Sequence, residues 1–193
     1  SDELAEYLGN QVRKIMRHPE YKRLFSDTQL VNEKARSTRL RTTKSGKVTI
    51  TSFHATMTGL GADYIIVDDP IQTNDVRSEV KMKDTINRFK EGLYTRLNDP
   101  KSGRILLVMQ RIHPDDLTGE LLDRSEFEHL KLPAQFKEDN TYKMPFEKEH
   151  LAKAGDYLDP NRLGELEIAR TRKMLGEAAF AAQYVQDPIY PEN

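Results

Sequence analysis

Tyr64-Ile65-Ile66-Val67-Asp68-Asp69-Pro70 is the stretch on which the fold turns. Its apolar run is rich in β-branched residues and has no helical period. That suits a strand covered on both faces, as in the middle of a parallel sheet. Two acids and a proline then end it abruptly. Ahead of it, Thr58-Gly59-Leu60-Gly61-Ala62-Asp63 is a flexible approach. Further on, Ile105-Leu106-Leu107-Val108-Met109 repeats the apolar pattern and runs into Gln110-Arg111. Between the two, residues 77–97 predict one long helix, with Met82, Ile86, Phe89, Leu93 and Leu97 along one side and Asn98-Asp99-Pro100 as its stop. A strand, a helix and a second buried strand argue for an α/β sheet, parallel at least in part.

Outward from this unit, Leu4, Leu8, Val12 and Ile15 give residues 2–18 an amphipathic helical period that Pro19 ends. Residues 38–43 and 47–53 alternate around Lys44-Ser45-Gly46, which predicts a hairpin. Residues 114–123 read as a short helix with Pro114 near its first turn, and Phe127–Leu132 as a third strand. After Pro133 the apolar residues thin out, and 135–161 reads as an irregular, linker-like excursion. Two helical pieces, 162–174 and 176–184, follow on either side of Gly176, and the chain runs extended from Gln186. The expected organisation is an α/β core over 1–134 and an irregular, then helical, segment over 135–193.

The chain has 193 residues, 37% hydrophobic and 32% charged, which suits one domain with at most a small appendage. It contains no cysteine, which excludes disulfides, thiolate-bound zinc and a thiol nucleophile. No apolar run approaches the length of a membrane span, and the opening residues do not read as a signal peptide. The net charge of −1 hides an asymmetry. Residues 1–50 hold 11 Lys/Arg against 6 Asp/Glu, and residues 51–193 hold 19 against 25. A basic first quarter suits a phosphate-bearing partner, or is a solvated surface of mixed charge. Arg13, Lys14 and Arg17 on the first helix, and Lys44 and Lys47 at the hairpin turn, carry the same two readings.

An apolar strand tipped by paired acids has the form of a Walker B segment. A buried strand holds its tip rigidly at the sheet's carboxyl edge, where α/β proteins bind ligands. Asp68 is then placed to hold Mg²⁺ through water, beside nucleotide phosphates. Asp69 is placed to orient or deprotonate an attacking water. Gln110 and Arg111, at the tip of the adjacent strand, are placed to hydrogen-bond and pair with a γ-phosphate. The plainer alternative is a strand followed by an Asp-Pro turn. His113 with Asp115 and Asp116 reads either as a metal site or as a helix N-cap.

The segment from Thr58 to Pro70 resembles the large terminase subunit of tailed bacteriophages and prophages. So do the helix ending Leu93-Tyr94-Thr95-Arg96-Leu97 and the stretch from Ile105 through Gln110-Arg111-Ile112-His113-Pro114-Asp115-Asp116 to Leu121. The opening through Leu4, Val12, Pro19, Tyr21 and Phe25 is also similar. Phe180-Ala181-Ala182-Gln183-Tyr184-Val185-Gln186-Asp187-Pro188 resembles that family's junction between ATPase and nuclease domains. The resemblance implies a P-loop NTPase-like, mainly parallel sheet flanked by helices, here partial and without its N-terminal strands, followed by a helical C-terminal segment. It implies an ATP- and Mg²⁺-dependent motor that packages double-stranded DNA into procapsids, with an endonuclease beyond Asn193. Asp68 is then the magnesium carboxylate, Asp69 the catalytic carboxylate, and Gln110 and Arg111 the coupling segment. The implied partners are the terminase small subunit, the portal protein and further copies in a ring, in the cytoplasm of a bacterial host and with no membrane.

Two departures qualify this. No G-x-x-x-x-G-K-[ST] phosphate loop occurs in the chain, and Leu60 stands where relatives are expected to carry arginine. The expectation is therefore a fragment that is not by itself a competent ATPase. A non-enzymatic, prophage-derived DNA-binding or assembly module is the alternative. A two-metal nuclease built on Asp68, Asp69 and other carboxylates is a third, with only one acid pair on a strand tip to support it.

Overall fold

The computed structural model describes residues 2–31, 37–76, 78–124 and 127–190. These form a mixed α/β structure with six α-helices and three two-stranded sheets. The chain divides into two compact units, Ser1–Thr58 and Gly59–Asn193. The charge asymmetry follows this division: residues 51–58 carry no Lys, Arg, Asp or Glu, so the excess of basic residues belongs to the first unit.

In the first unit, α1 (Asp2–Arg17) carries Lys14 and Arg17 in its last turn, which complements the helix dipole. α2 (Pro19–Leu24) has proline in its first turn and His18 as N-cap, Nδ1 accepting the Glu20 N–H at 3.3 Å. The expected apolar stripe of α1 is not the face that packs. Ala5, Gly9 and Met16 are buried, while Leu4, Leu8 and Ile15 are exposed. Small residues win because the backbone comes close here: a Cβ on Gly9 would lie 2.1 Å from the Ser37 carbonyl oxygen. Periodicity alone does not reveal such an approach.

The hairpin forms as expected from β1 (Arg39–Arg41) and β2 (Lys47–Thr49), paired Arg39↔Thr49, Leu40↔Val48 and Arg41↔Lys47. Thr43, Lys44 and Ser45 make the loop. The Ser45 N–H donates to the Thr42 carbonyl at 3.0 Å, and the Thr42 N–H to the Gly46 carbonyl at 2.9 Å. Ser45 takes the left-handed conformation such three-residue loops require, with φ 63°. The outer edge of β1 is tied down where the Val31 N–H donates to the Arg41 carbonyl at 3.0 Å and the Thr43 hydroxyl donates to the Asp27 carbonyl at 2.6 Å.

In the second unit, β3 (Tyr64–Asp68) leads to α3 (Glu79–Asn87), capped by the Ser78 hydroxyl. The expected long helix is continuous only through a π turn, Arg88–Leu93, and a 3₁₀ turn, Tyr94–Arg96. β4 (Arg104–Val108) then pairs with β3 in parallel, and α4 (Leu117–Asp123) follows. Phe89 and Leu93 of the π turn and Leu117 and Leu121 of α4 are buried. Lys90 and Arg124 both donate to Glu120, so the π turn is joined to α4 by charge as well.

Phe127–Leu132 is not a strand; residues 128–133 make no ladder. Conversely, the segment expected to be irregular contains a hairpin, β5 (Asn140–Met144) and β6 (Lys148–Ala152), with Lys143 opposite Glu149 and Tyr142 opposite His150. It is fastened by the Tyr142 hydroxyl, which donates to the Lys131 carbonyl at 2.7 Å, and by the Tyr142 ring beside buried Phe136. α5 (Glu165–Leu175) and α6 (Glu177–Gln183) meet at Gly176, whose φ of 78° breaks the helix as expected. Ile168, Phe180 and Val185 form their core, with Ala134 and Leu163 packed against it. Residues on both sides of position 134 thus lie in the second unit. No helix among the described residues is long and apolar enough to cross a membrane.

Candidate active site

β3 and β4 run in register from Tyr64↔Arg104 to Asp68↔Val108. Both apolar strands of the sequence reading therefore exist, are neighbours, and end at one edge. They are not covered on both faces. Val67 is buried and Ile65, Ile105 and Leu107 partly so, but on the other face Tyr64 is 75% exposed, Ile66 72%, Leu106 56% and Val108 50%. An apolar run tells that a strand can be buried twice over, not that two layers are present to bury it.

The carboxyl edge brings three of the four expected site residues together. Asp68 ends β3, exposed. Asp69 follows in a left-handed conformation, φ 40°, which costs a residue with a side chain about 1 kcal/mol or more. Two hydrogen bonds hold it there. Its N–H donates to the Val108 carbonyl at 2.9 Å, and its Oδ1 accepts the Gln110 N–H at 3.3 Å. Pro70 and Ile71 are buried directly behind, and Ile71 clusters with Val76 and Met82, with Met109 and Ile112 against them. The turn is thus anchored by apolar packing while its carboxylates and the Gln110 side chain stay on the surface.

Arg111 is not brought into this group. Its Nε lies 3.0 and 3.1 Å from the two oxygens of Asp116, and its Nη2 donates to the carbonyls of His113 and Pro114. The Arg111 side chain is 12% exposed and that of Asp116 0%. Asp116 also accepts the N–H groups of Ile112, His113 and Gly119, the last as N-cap of α4. Every lone-pair direction of this buried carboxylate has a donor, the condition under which a buried charge is tolerable. A side chain at Gly119 would strike the Pro114 carbonyl oxygen at 1.9 Å, so glycine is needed one turn into the helix.

Of the two readings of His113, Asp115 and Asp116, the helix N-cap is the one that forms, with Asp116 as the cap of α4; its ion pair with Arg111 and the part played by Tyr190 escape the sequence reading. Tyr190 carries no signal: its hydroxyl donates to Asp115 Oδ1 at 2.9 Å and its ring stands edge-on to His113 at 5.8 Å, across 75 residues of sequence. The Asp115 carboxylate beside it pushes the Tyr190 hydroxyl above its usual pKa, first through that hydrogen bond.

Among the described residues no group of three or more His, Asp or Glu is arranged to hold a metal. Mg²⁺ keeps most of its waters and needs only one or two carboxylates. Asp68 and Asp69, exposed at one strand tip and in no ion pair with Lys or Arg among the described residues, fit that requirement. A triphosphate is a different matter. With no phosphate loop in the sequence, this chain lacks the backbone amides and lysine that would cradle one, so its residues do not by themselves fit tightly bound ATP. No protein-family model matches the chain, and no curated protein sequence matches it significantly.

Proposed function

We propose that the β3–β4 edge is the metal-and-water side of a nucleoside-triphosphatase site, and that the chain is part of a DNA-packaging motor of the large terminase type. The observation that carries this is the juxtaposition of Asp68 and Asp69 with Gln110 on two parallel strand tips, with Asp69 held in a left-handed turn by the Gln110 N–H. In this reading the parallel pair belongs to a P-loop-type sheet. Asp68 holds the hydrated magnesium, which when bound would offset phosphate charge. Asp69 orients the attacking water and takes its proton. The Gln110 side chain hydrogen-bonds the phosphate end. Arg111 acts as a positioning residue: locked onto Asp116, it fixes the β4–α4 turn that carries Gln110. Double-stranded DNA, the terminase small subunit, the portal protein and further copies of the motor are the partners this reading brings, in the cytoplasm of a bacterial host.

Hydrolysis needs a phosphate loop, so the 193-residue chain alone does not turn over ATP. The test is magnesium-dependent ATP hydrolysis by the full polypeptide of this reading frame. Asp68→Ala lowers turnover by about two orders of magnitude or more if it removes the metal carboxylate. Unchanged turnover, or a frame that encodes no phosphate loop, sinks the proposal.

A further inference from the structure

The hairpin of the first unit has an outward face that is entirely polar. Alternation along the strands puts Leu40 and Val48 on one side, and Arg39, Arg41, Lys47 and Thr49 on the other. All four of the latter are exposed. Arg41 and Lys47 are direct cross-strand partners, an arrangement that is unfavourable for like charges. Neither they nor Arg39 form an ion pair or a side-chain hydrogen bond among the described residues. The neighbouring turn lysine, Lys44, does have a partner, Asp27 at 3.6 Å. Three cations with no partner among the described residues thus sit together on a ribbon whose backbone is pinned along one edge. Hydrogen bonds at Val31 and Thr43 fix β1, while β2 pairs only with β1 among the described residues.

We infer that this ribbon is a binding surface for the phosphate backbone of duplex nucleic acid. A polyanion relieves the Arg41–Lys47 repulsion and finds the cations already arrayed. Along β1, Arg39 and Arg41 are spaced by two residues, about 7 Å, which is about the rise of two phosphates along one DNA strand. A two-stranded ribbon also has the width that a major groove admits. The face carries no large apolar side chain, which disfavours insertion into a lipid surface. Contacts of this kind set position and affinity, not base sequence. The inference deepens the proposed function, which already brings duplex DNA as a partner, by giving that partner a surface; because the surface lies wholly in the first unit and owes nothing to Asp68 or Asp69, its failure is distinguishable from failure of the triphosphatase reading.

The experiment is a salt titration of the chain's affinity for a short labelled DNA duplex of mixed sequence, without nucleotide or metal. The expected result is binding that weakens steeply with salt. In the triple variant R39Q/R41Q/K47Q it falls by about tenfold or more at low salt, and the slope of log affinity against log salt shrinks by about 2–3. The variant keeps the wild-type circular dichroism and thermal midpoint, since it removes a repulsion and no buried group. A control with the same charge removed from the second unit, K143Q/K148Q/K153Q, binds as wild type. Three outcomes overturn the inference: no binding at low salt, an equal loss in the control, or tighter binding to phosphatidylserine vesicles than to the duplex.

Discussion

Arg111 and Asp116 form an ion pair that is almost wholly removed from water, with both carboxylate oxygens within about 3 Å of the guanidinium Nε and three backbone N–H groups completing the shell. Breaking such a pair from one side strands the other charge. Arg111→Ala is therefore expected to cost about 3 kcal/mol or more, read as a lowered urea midpoint. Asp116→Asn should destabilise in the same direction: asparagine can still cap α4, but the charge opposite Arg111 is lost and an amide NH2 is set against N–H donors. A midpoint unchanged in Arg111→Ala would mean that the arginine is free to face a ligand after all.

Asp69 separates backbone from chemistry. At φ 40° a glycine suits the turn better than an aspartate, but it forfeits the long Gln110 N–H bond to Oδ1, so the two effects offset and Asp69→Gly should change stability by no more than about 1 kcal/mol. Asp69→Asn should be near neutral, because asparagine tolerates this region. Both variants are nevertheless expected to lose about a hundredfold in ATP turnover in the full polypeptide, since neither takes up a proton. Stability and turnover falling together would assign Asp69 to the turn alone.

Glu120 gives the fold a pH dependence with a definite sign. Hydrogen bonds from Lys90 and then Arg124 hold its carboxyl below the usual glutamate value, against a smaller upward push from burial. A depressed folded-state pKa adds stability that is present above the unfolded value of 4.5 and is lost as pH falls through the folded one. The acid limb of a stability–pH curve should therefore flatten in Glu120→Gln. At neutral pH that variant should be weaker by about 1 kcal/mol or less, given the partial exposure of the site. An acid limb that superimposes on wild type would contradict the assignment.

Ser45 is the loop position at which glycine would be at ease. Its φ of 63° predicts that Ser45→Gly stabilises the hairpin by up to about 1 kcal/mol, while leaving Arg39, Arg41 and Lys47 in place. Slower amide exchange at Val48 and Ile50 would report it; faster exchange there would mean that the serine is held by something better than its backbone geometry.

Periodicity and turn residues were enough to find β3, β4, the first hairpin and the break at Gly176, because each rests on local chemistry. They did not find β5 and β6, because only Tyr142 and Met144 alternate in Asn-Thr-Tyr-Lys-Met, Lys-Glu-His-Leu-Ala has no such pattern, and the hairpin depends on cross-strand pairs and on Tyr142 reaching Lys131. Phe127–Leu132 has the side chains of a strand but pairs with no neighbour among the described residues. At the candidate site, Asp68, Asp69 and Gln110 were legible as residues at strand tips. The commitment of Arg111 to Asp116 was not, since an arginine after a strand looks the same whether it faces a ligand or a helix cap.

The bare face of β3 and β4 has a practical side. Tyr64, Ile66, Leu106 and Val108 make a contiguous oily surface on two strands whose outer edges carry no strand partner among the described residues. Surfaces of that kind bind dyes such as anilinonaphthalene sulfonate and seed edge-to-edge aggregation. Purified on its own, the chain should scatter light increasingly with concentration. A single lysine in place of Ile66, pointing into water from the middle of that face, should keep it clear while leaving the acid-tipped edge untouched.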